Sequence, residues 1–75
     1  MNKERRTMIE KIITRIENIK DELQDVLSDE EFAFDNMPEN LQYSERGEAS
    51  QEAIDSMSEA IDNLEEAIEQ LQNIC

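Results

Sequence analysis

Apolar residues recur at alternating steps of three and four in two long stretches of this chain, and a short segment that breaks the pattern separates them. Such spacing places the side chains on one face of an α-helix and is typical of helices that pack in coiled coils or bundles. Because no Gly or Pro precedes Pro38, we predict a first helix over about 3–34. Its apolar stripe consists of Ile9, Ile12, Ile16, Ile19, Leu23 and Val26, with Ile13 and Leu27 on one flank.

A charged residue interrupts this first stripe near its end. Glu30 occupies the place at which the next core residue would fall. Ser28 is followed three residues later by Glu31, a capping box that is typical of a helix N-terminus. We therefore predict a kink or a break in the first helix near residue 28.

The second stretch is the more regular of the two and predicts a helix over about 45–74, with Ser44 as its N-cap. From Glu52 it reads as three near-copies of one heptad, EAIDSMS, EAIDNLE and EAIEQLQ. Alanines at a regular seven-residue interval on its flank would let a neighbouring helix approach closely. One core position holds Ile54, Ile61, Ile68 and Cys75, the other holds Met57, Leu64 and Leu71, and the flank holds Ala53, Ala60 and Ala67.

The connector, residues 35–47, is short enough to make the two helices antiparallel neighbours. Charge favours the same arrangement, because residues 1–20 carry a net charge of +3 and residues 21–75 carry −16. Both stripes are too wide for one hairpin to bury, and a domain this small usually needs a disulfide, a metal or a partner subunit. We predict an all-α fold: a single antiparallel helical hairpin over 1–75 that dimerises into a four-helix bundle.

The composition excludes several classes of function. Histidine is absent and Cys75 is the only cysteine, which leaves too few ligands for a zinc site and no histidine-based catalytic set. We predict no enzymatic activity, no metal and no cofactor. The net charge of −16 on residues 21–75 disfavours direct nucleic-acid binding, because contacts with phosphates depend on Lys and Arg. Without a long apolar run or an apolar leader, we expect no membrane association and a cytoplasmic location.

The segment FDNMPENLQYSERGEA, residues 34–49, spans the connector and contains residues beyond what a simple turn requires. Two interpretations stay open. In the first, Phe32, Phe34, Met37, Leu41 and Tyr43 form a small satellite core over the end of the hairpin at which the connector lies. In the second, the segment is a contact surface, since loops on rigid scaffolds often bind partners and Tyr and Arg are enriched in binding hot spots. The candidate binding residues are Phe34, Met37, Tyr43, Arg46 and Gly47, and a candidate acidic face comprises Asp55, Asp62, Glu65, Glu66 and Glu69.

The connector, followed by EAIDNLEEAIEQL, resembles a group of small acidic helical proteins encoded by bacteriophages and prophages of Gram-positive bacteria. The resemblance lies in an MNK start with basic residues and a DN-x-P-E-x-L-Q-x-SERGE core, and it covers nearly the whole chain. It implies a viral or mobile-element origin, in which small acidic proteins often bind a host enzyme.

Three functions are compatible with these features. The first is a non-enzymatic acidic homodimer that binds and inhibits a host protein, with carboxylates standing in for nucleic-acid phosphates or with a role against host defence. The second is a protein that sequesters a small anion or nucleotide between protomers, using Arg46 near a helix N-terminus. The third is a coiled-coil assembly module whose contacts are all with itself.

Overall fold

Two long helices and a short helix at the bend between them form a hairpin in the computed structural model, which describes residues 1–75. Helix α1 spans Lys3–Asp35, α2 spans Glu39–Gln42 and α3 spans Glu45–Gln72. The structure contains no strand, and α1 packs against α3 along the hairpin. The predicted all-α helical hairpin is therefore confirmed.

Helix α1 is continuous from its cap to its end. It begins where the side-chain oxygen of Asn2 accepts a hydrogen bond from the backbone N–H of Arg5 at 2.8 Å. It runs through Ser28 as one helix, so the break predicted there is wrong. The physical reason lies at Glu30, whose Oε2 accepts a 2.6 Å hydrogen bond from the Ser50 hydroxyl on α3. A hydrogen-bonded carboxylate can be tolerated at a half-buried position, so the helix need not end to expose it.

Three contacts along the hairpin establish that α1 and α3 run in opposite directions. Near the bend, Ser50 donates to Glu30, as described above. Near the middle, Lys20 Nζ lies 3.7 Å from Glu65 Oε1. At the open end, Cys75 Sγ lies 3.8 Å from the carbonyl oxygen of Arg6. Later residues of α3 thus contact progressively earlier residues of α1, as an antiparallel pair requires.

The seam between the helices uses the predicted stripe of α3 but a rotated stripe of α1. Ile54, Ile61 and Ile68 are buried, as their heptad position predicts. On α1 the buried residues are Ile13 and Leu27, which the sequence placed on the flank. The predicted core residues Ile12, Ile19 and Val26 are exposed, so that part of the stripe assignment is wrong. The α1 residues that are at least half-buried follow the steps four and three: Ile9, Ile13, Ile16, Lys20, Leu23, Leu27, Glu30 and Phe34.

The single hairpin has little interior. Only 7 of its 75 residues are buried, and none of the large side chains is fully buried. The hairpin measures 58 × 15 × 12 Å, and its radius of gyration is 17.1 Å, against about 11 Å for a compact domain of this length. Its accessible surface is 5789 Å², whereas a folded monomer of this mass exposes about 4,800 Å². Most of the apolar surface that the stripes contain is therefore only partly covered.

Candidate binding surfaces

The connector is a defined structure built from hydrogen bonds to the ends of the helices. The Gln42 amide nitrogen donates to the carbonyl oxygens of Phe34, at 3.1 Å, and Met37, at 3.2 Å. Phe34 lies in the last turn of α1 and Met37 follows it, in the region where a helix leaves carbonyls without their usual intrahelical partners. The Phe34 carbonyl also accepts from the backbone N–H of Met37 at 3.0 Å. Ser44 then caps α3 as predicted, because its side-chain oxygen accepts from the backbone N–H of Gly47 at 3.4 Å. The bend is thus fixed by side chains from within the connector itself.

Gly47 has a structural reason to be glycine. It is buried in the first turn of α3, directly against the end of α2. A Cβ atom placed on it would lie 2.1 Å from the carbonyl oxygen of Gln42 and 2.5 Å from that of Leu41. Both neighbours are backbone atoms, so neither can rotate out of the way. Gly47 therefore permits close packing of two helices and presents little surface to a ligand.

The apolar residues of the connector do not gather into one satellite core. Phe34 packs against the core cluster of Leu27, Ile54 and Ile61, and Met37 is half-buried. Phe32 and Tyr43 are instead 72% and 78% exposed. These two aromatic side chains are therefore available for contact. Tyr43 was a predicted binding residue, whereas Phe32, two residues from Phe34, was assigned to the satellite core alone.

A shallow groove of about 600 Å³ lies beside the bend and brings together two of the predicted binding residues, Met37 and Arg46. Arg46 is the only cation among its lining residues, and Glu30 contributes the opposite charge. Phe34, Tyr43 and Gly47 do not line it. The full lining is Glu30, Ala33, Met37, Leu41, Arg46, Ala49, Ser50 and Ala53.

The groove shows which sides of α1 and α3 share a surface. Ala33 from α1 and Ala53 from α3 both line it, so these two residues lie on the same side of the hairpin. Residues that follow or precede Ala33 and Ala53 at seven-residue intervals extend the same side of the hairpin along both helices. We call the result the apolar side face, and it consists of Ile12, Ile19, Val26 and Ala33 from α1 with Ala53, Ala60 and Ala67 from α3. Ile19 and Val26 are 52% and 55% exposed. Because Ile12, Ile19 and Val26 were predicted to form the hairpin core, the face was not predicted as a separate surface.

The acidic residues of α3 cover its outward surface. All nine of its carboxylates are exposed, including the five of the predicted acidic face. Within that face, Glu65 forms the one ion pair of the structure, with Lys20, and Asp55 accepts a 3.0 Å hydrogen bond from the Gln51 amide. Asp62, Glu66 and Glu69 have no ion-pair partner in the chain. The structure therefore brings the predicted face together as an exposed surface whose charge is largely uncompensated.

No group of three or more Cys, Asp or Glu residues is arranged to hold a metal ion. Cys75, predicted to sit on the core stripe, is a free, exposed thiol at the open end of the hairpin. Neither long helix has an apolar stretch of the length that would be needed to cross a bilayer.

Comparison with known proteins adds no relative, because no family model, curated protein or solved structure matches the chain.

Proposed function

We propose that the protein is a non-enzymatic acidic binding protein that works as a homodimer and binds and inhibits a host protein in the bacterial cytoplasm. The observation that carries this proposal is the exposed acidic surface of α3, in which only Glu65 is paired with a cation. Charges left unpaired within the chain can be compensated by a partner. The sequence resemblance to phage-encoded acidic proteins supports a host protein as that partner.

The negative charge of the exposed α3 surface is complementary to a basic groove on another protein. Carboxylates held on a rigid helix keep their spacing, so complementary charge can steer association and fix the register of the complex. A groove built for nucleic acid presents Lys and Arg side chains and would accept a row of carboxylates in place of phosphates. The same negative charge repels nucleic acid itself. Inhibition would then follow from occupation of the groove.

Affinity capture from a bacterial lysate tests the proposal with two matched variants. The first carries Asp62→Asn, Glu66→Gln and Glu69→Gln, which neutralise three exposed carboxylates of α3 that have no ion-pair partner. The second makes the same number of changes on α1 at Asp21→Asn, Asp25→Asn and Glu31→Gln, which are also exposed. Both variants lose three charges from the outer surface, so a general effect of net charge affects both equally.

We expect the wild-type protein to retain one host protein at low salt and to release it as salt is raised. The α3 variant should lose most of this binding, and the α1 variant should keep it. The activity of the captured host protein should fall when wild-type protein is added. No retained protein at low salt, or equal retention by the α3 variant, would contradict the proposal.

A second candidate function is sequestration of a small anion or nucleotide, which the position of Arg46 in the 600 Å³ groove favours. Glu30 in the same groove and Glu45 and Glu48 in the first turn of α3 oppose it, because they place negative charge beside the anion. A thermal-shift panel of nucleotides separates the two functions. Sequestration requires stabilisation of the wild type that Arg46→Gln abolishes. With no stabilisation and no captured protein, the assembly module would be the remaining function.

A further inference from the structure

We infer that the apolar side face is the surface on which a second copy of the chain docks, and that α1 of one protomer lies against α3 of its partner. The inference rests on the homodimer of the proposed function and specifies which surface pairs and which helices meet. Three observations support it: the size of the face, the distribution of acids and the sizes of the apolar side chains.

The face reaches the size at which specific interfaces between proteins begin. From Ile12 to Ala33 it runs about 32 Å along α1 at the helical rise per residue. The hairpin is 15 Å across in its wider cross-section. Such a face covers on the order of 500 Å² per protomer, or about 1,000 Å² in a pair, which reaches the lower size of specific interfaces. Its large side chains stand in solvent in the single hairpin, since Ile19 and Val26 are half exposed.

Acidic residues are excluded from the α3 part of the face. Helix α3 carries nine carboxylates, yet the residues that follow Ala53 along the face at seven-residue steps are Ala60, Ala67 and then Ile74. The adjoining outer row holds only uncharged residues: Ala49, Ser56, Asn63 and Gln70. A solvated surface on so acidic a helix has no reason to avoid charge. Exclusion of charge is expected where another protein surface covers the helix, because charged residues are depleted at interface cores.

The side chains on the two helices differ in size in a complementary way. Helix α1 contributes the larger residues Ile12, Ile19 and Val26, whereas α3 contributes alanines at the same interval. Large residues of one helix fit best between small residues of the facing helix, because layers of alternating size interdigitate without voids. Within the dimer, each α1 would therefore lie on the partner's α3, and the two-fold axis would run along the bundle.

Charge acts in both possible pairings. In the inferred arrangement the basic start of each α1, with Arg5 and Arg15, lies beside the acidic C-terminal half of the partner's α3. The alternative bundle pairs α1 with α1 and α3 with α3 across a perpendicular axis. It would bring two α3 helices together, each with nine carboxylates and Arg46 as the only cation. Two facing α3 helices would repel each other along their whole length, but in the inferred pairing the acidic residues 21–35 of α1 would lie beside the acidic first half of the partner's α3. The choice of pairing therefore rests on side-chain size, and the cross-linking experiment below decides it.

Two substitutions of neighbouring residues test the surface. Ile19→Glu places a charge on the apolar side face, at a residue that is already half exposed in the hairpin. Asn18→Glu adds the same charge one residue away, at an exposed position outside the face. Sedimentation should give a dimer for the wild type and for Asn18→Glu. For Ile19→Glu, the dissociation constant of the dimer should rise at least tenfold. An equal dimer for Ile19→Glu would overturn this surface.

Disulfide cross-linking tests the pairing of helices. Ile19 and Ala60 lie at the same level of the hairpin, near the middle of the face. In a Cys75→Ser background, Ile19→Cys and Ala60→Cys are prepared separately, mixed and oxidised. The inferred pairing predicts mainly Ile19–Ala60 cross-links between protomers. Predominant Ile19–Ile19 and Ala60–Ala60 products from a protein that sediments as a dimer would overturn only the pairing. A wild-type protein that sediments as a monomer would instead remove the homodimer from the proposed function.

Discussion

Replacement of Gly47 by alanine sets two physical effects against each other, and the structure decides which is larger. Gly47 lies in the first turn of the 28-residue helix α3. Helix propensity alone predicts that Ala at a helical position is more stable than Gly by about 1 kcal/mol. The surroundings of Gly47 predict the opposite, because the end of α2 occupies the space that a Cβ atom would need.

The magnitude follows from the distances. The added Cβ would lie 2.1 Å from the Gln42 carbonyl oxygen and 2.5 Å from that of Leu41, and ordinary contact begins near 3.4 Å. The end of α2 must therefore move by about 1 Å, and overpacking of this kind costs about 1–3 kcal/mol. The movement also strains the two hydrogen bonds from Gln42 to Phe34 and Met37, each worth about 1 kcal/mol. Against the gain from propensity, we expect a net loss of about 2 kcal/mol.

Urea unfolding followed by circular dichroism measures this change. All variants are compared at the same protomer concentration, because the stability of an associating protein depends on that concentration. Gly47→Ala should unfold at a lower urea concentration than the wild type. Ser58→Ala, at an exposed position in the same helix, is the control and should be equal or slightly more stable. A Gly47→Ala protein as stable as the wild type would refute the close packing of α2 on α3.

Two further predictions concern polar residues in the seam between α1 and α3. Ser50→Ala removes the donor to Glu30 and should lower the free energy of unfolding, measured in urea, by about 1–2 kcal/mol. The Glu30→Leu, Ser50→Ala double variant should recover that loss. A double variant less stable than Ser50→Ala would contradict the pairing. Lys20→Leu removes an ion pair whose two side chains are 27% and 53% exposed, worth less than about 1 kcal/mol. It adds apolar burial and should stabilise the hairpin by about 1 kcal/mol, so a marked loss of stability would show that the charge at this position matters more than the packing.

The fold followed from the sequence because its signals are local and agree with each other. The heptads of α3 place Ile54, Ile61 and Ile68 on one line, and that line is buried. Ser44 has the residue type and position of an N-cap and forms one. The short connector and the basic start of the chain both indicate an antiparallel pair. Each signal depends on neighbouring residues, which is why the chain could be interpreted without knowledge of its tertiary contacts.

The orientation of α1 could not be predicted in the same way. Its apolar residues occupy three positions of the heptad, so two different pairs of positions could form the seam. The stripe through Ile12 and Ile19 is uninterrupted, whereas the line through Ile13 and Leu27 contains Lys20, which made the second line appear less suited to a core. In the structure Lys20 reaches Glu65, and Glu30 is hydrogen-bonded by Ser50. A long side chain can bury its stem and keep its charge in water, and such compensation depends on residues far away in sequence.

The candidate site was predicted less completely than the fold. Met37 and Arg46, which were chosen by residue type, line the groove together, and the carboxylates of α3 are exposed. Their role in binding stays a prediction. Gly47 was predicted as a binding residue, but its close packing against the end of α2 leaves it little surface for binding. The apolar side face was missed because it becomes distinct only once the seam is known.

Sedimentation equilibrium of the wild-type protein, with helix content measured on the same samples, tests the central claim most directly. The claim is that the single hairpin, with 7 of 75 residues buried, depends on a second copy to cover its apolar side face. We predict a mass of about twice 8.8 kDa at micromolar concentration and a loss of helix content as dilution separates the protomers. A particle of 8.8 kDa that keeps its full helix content and unfolds cooperatively would contradict the claim.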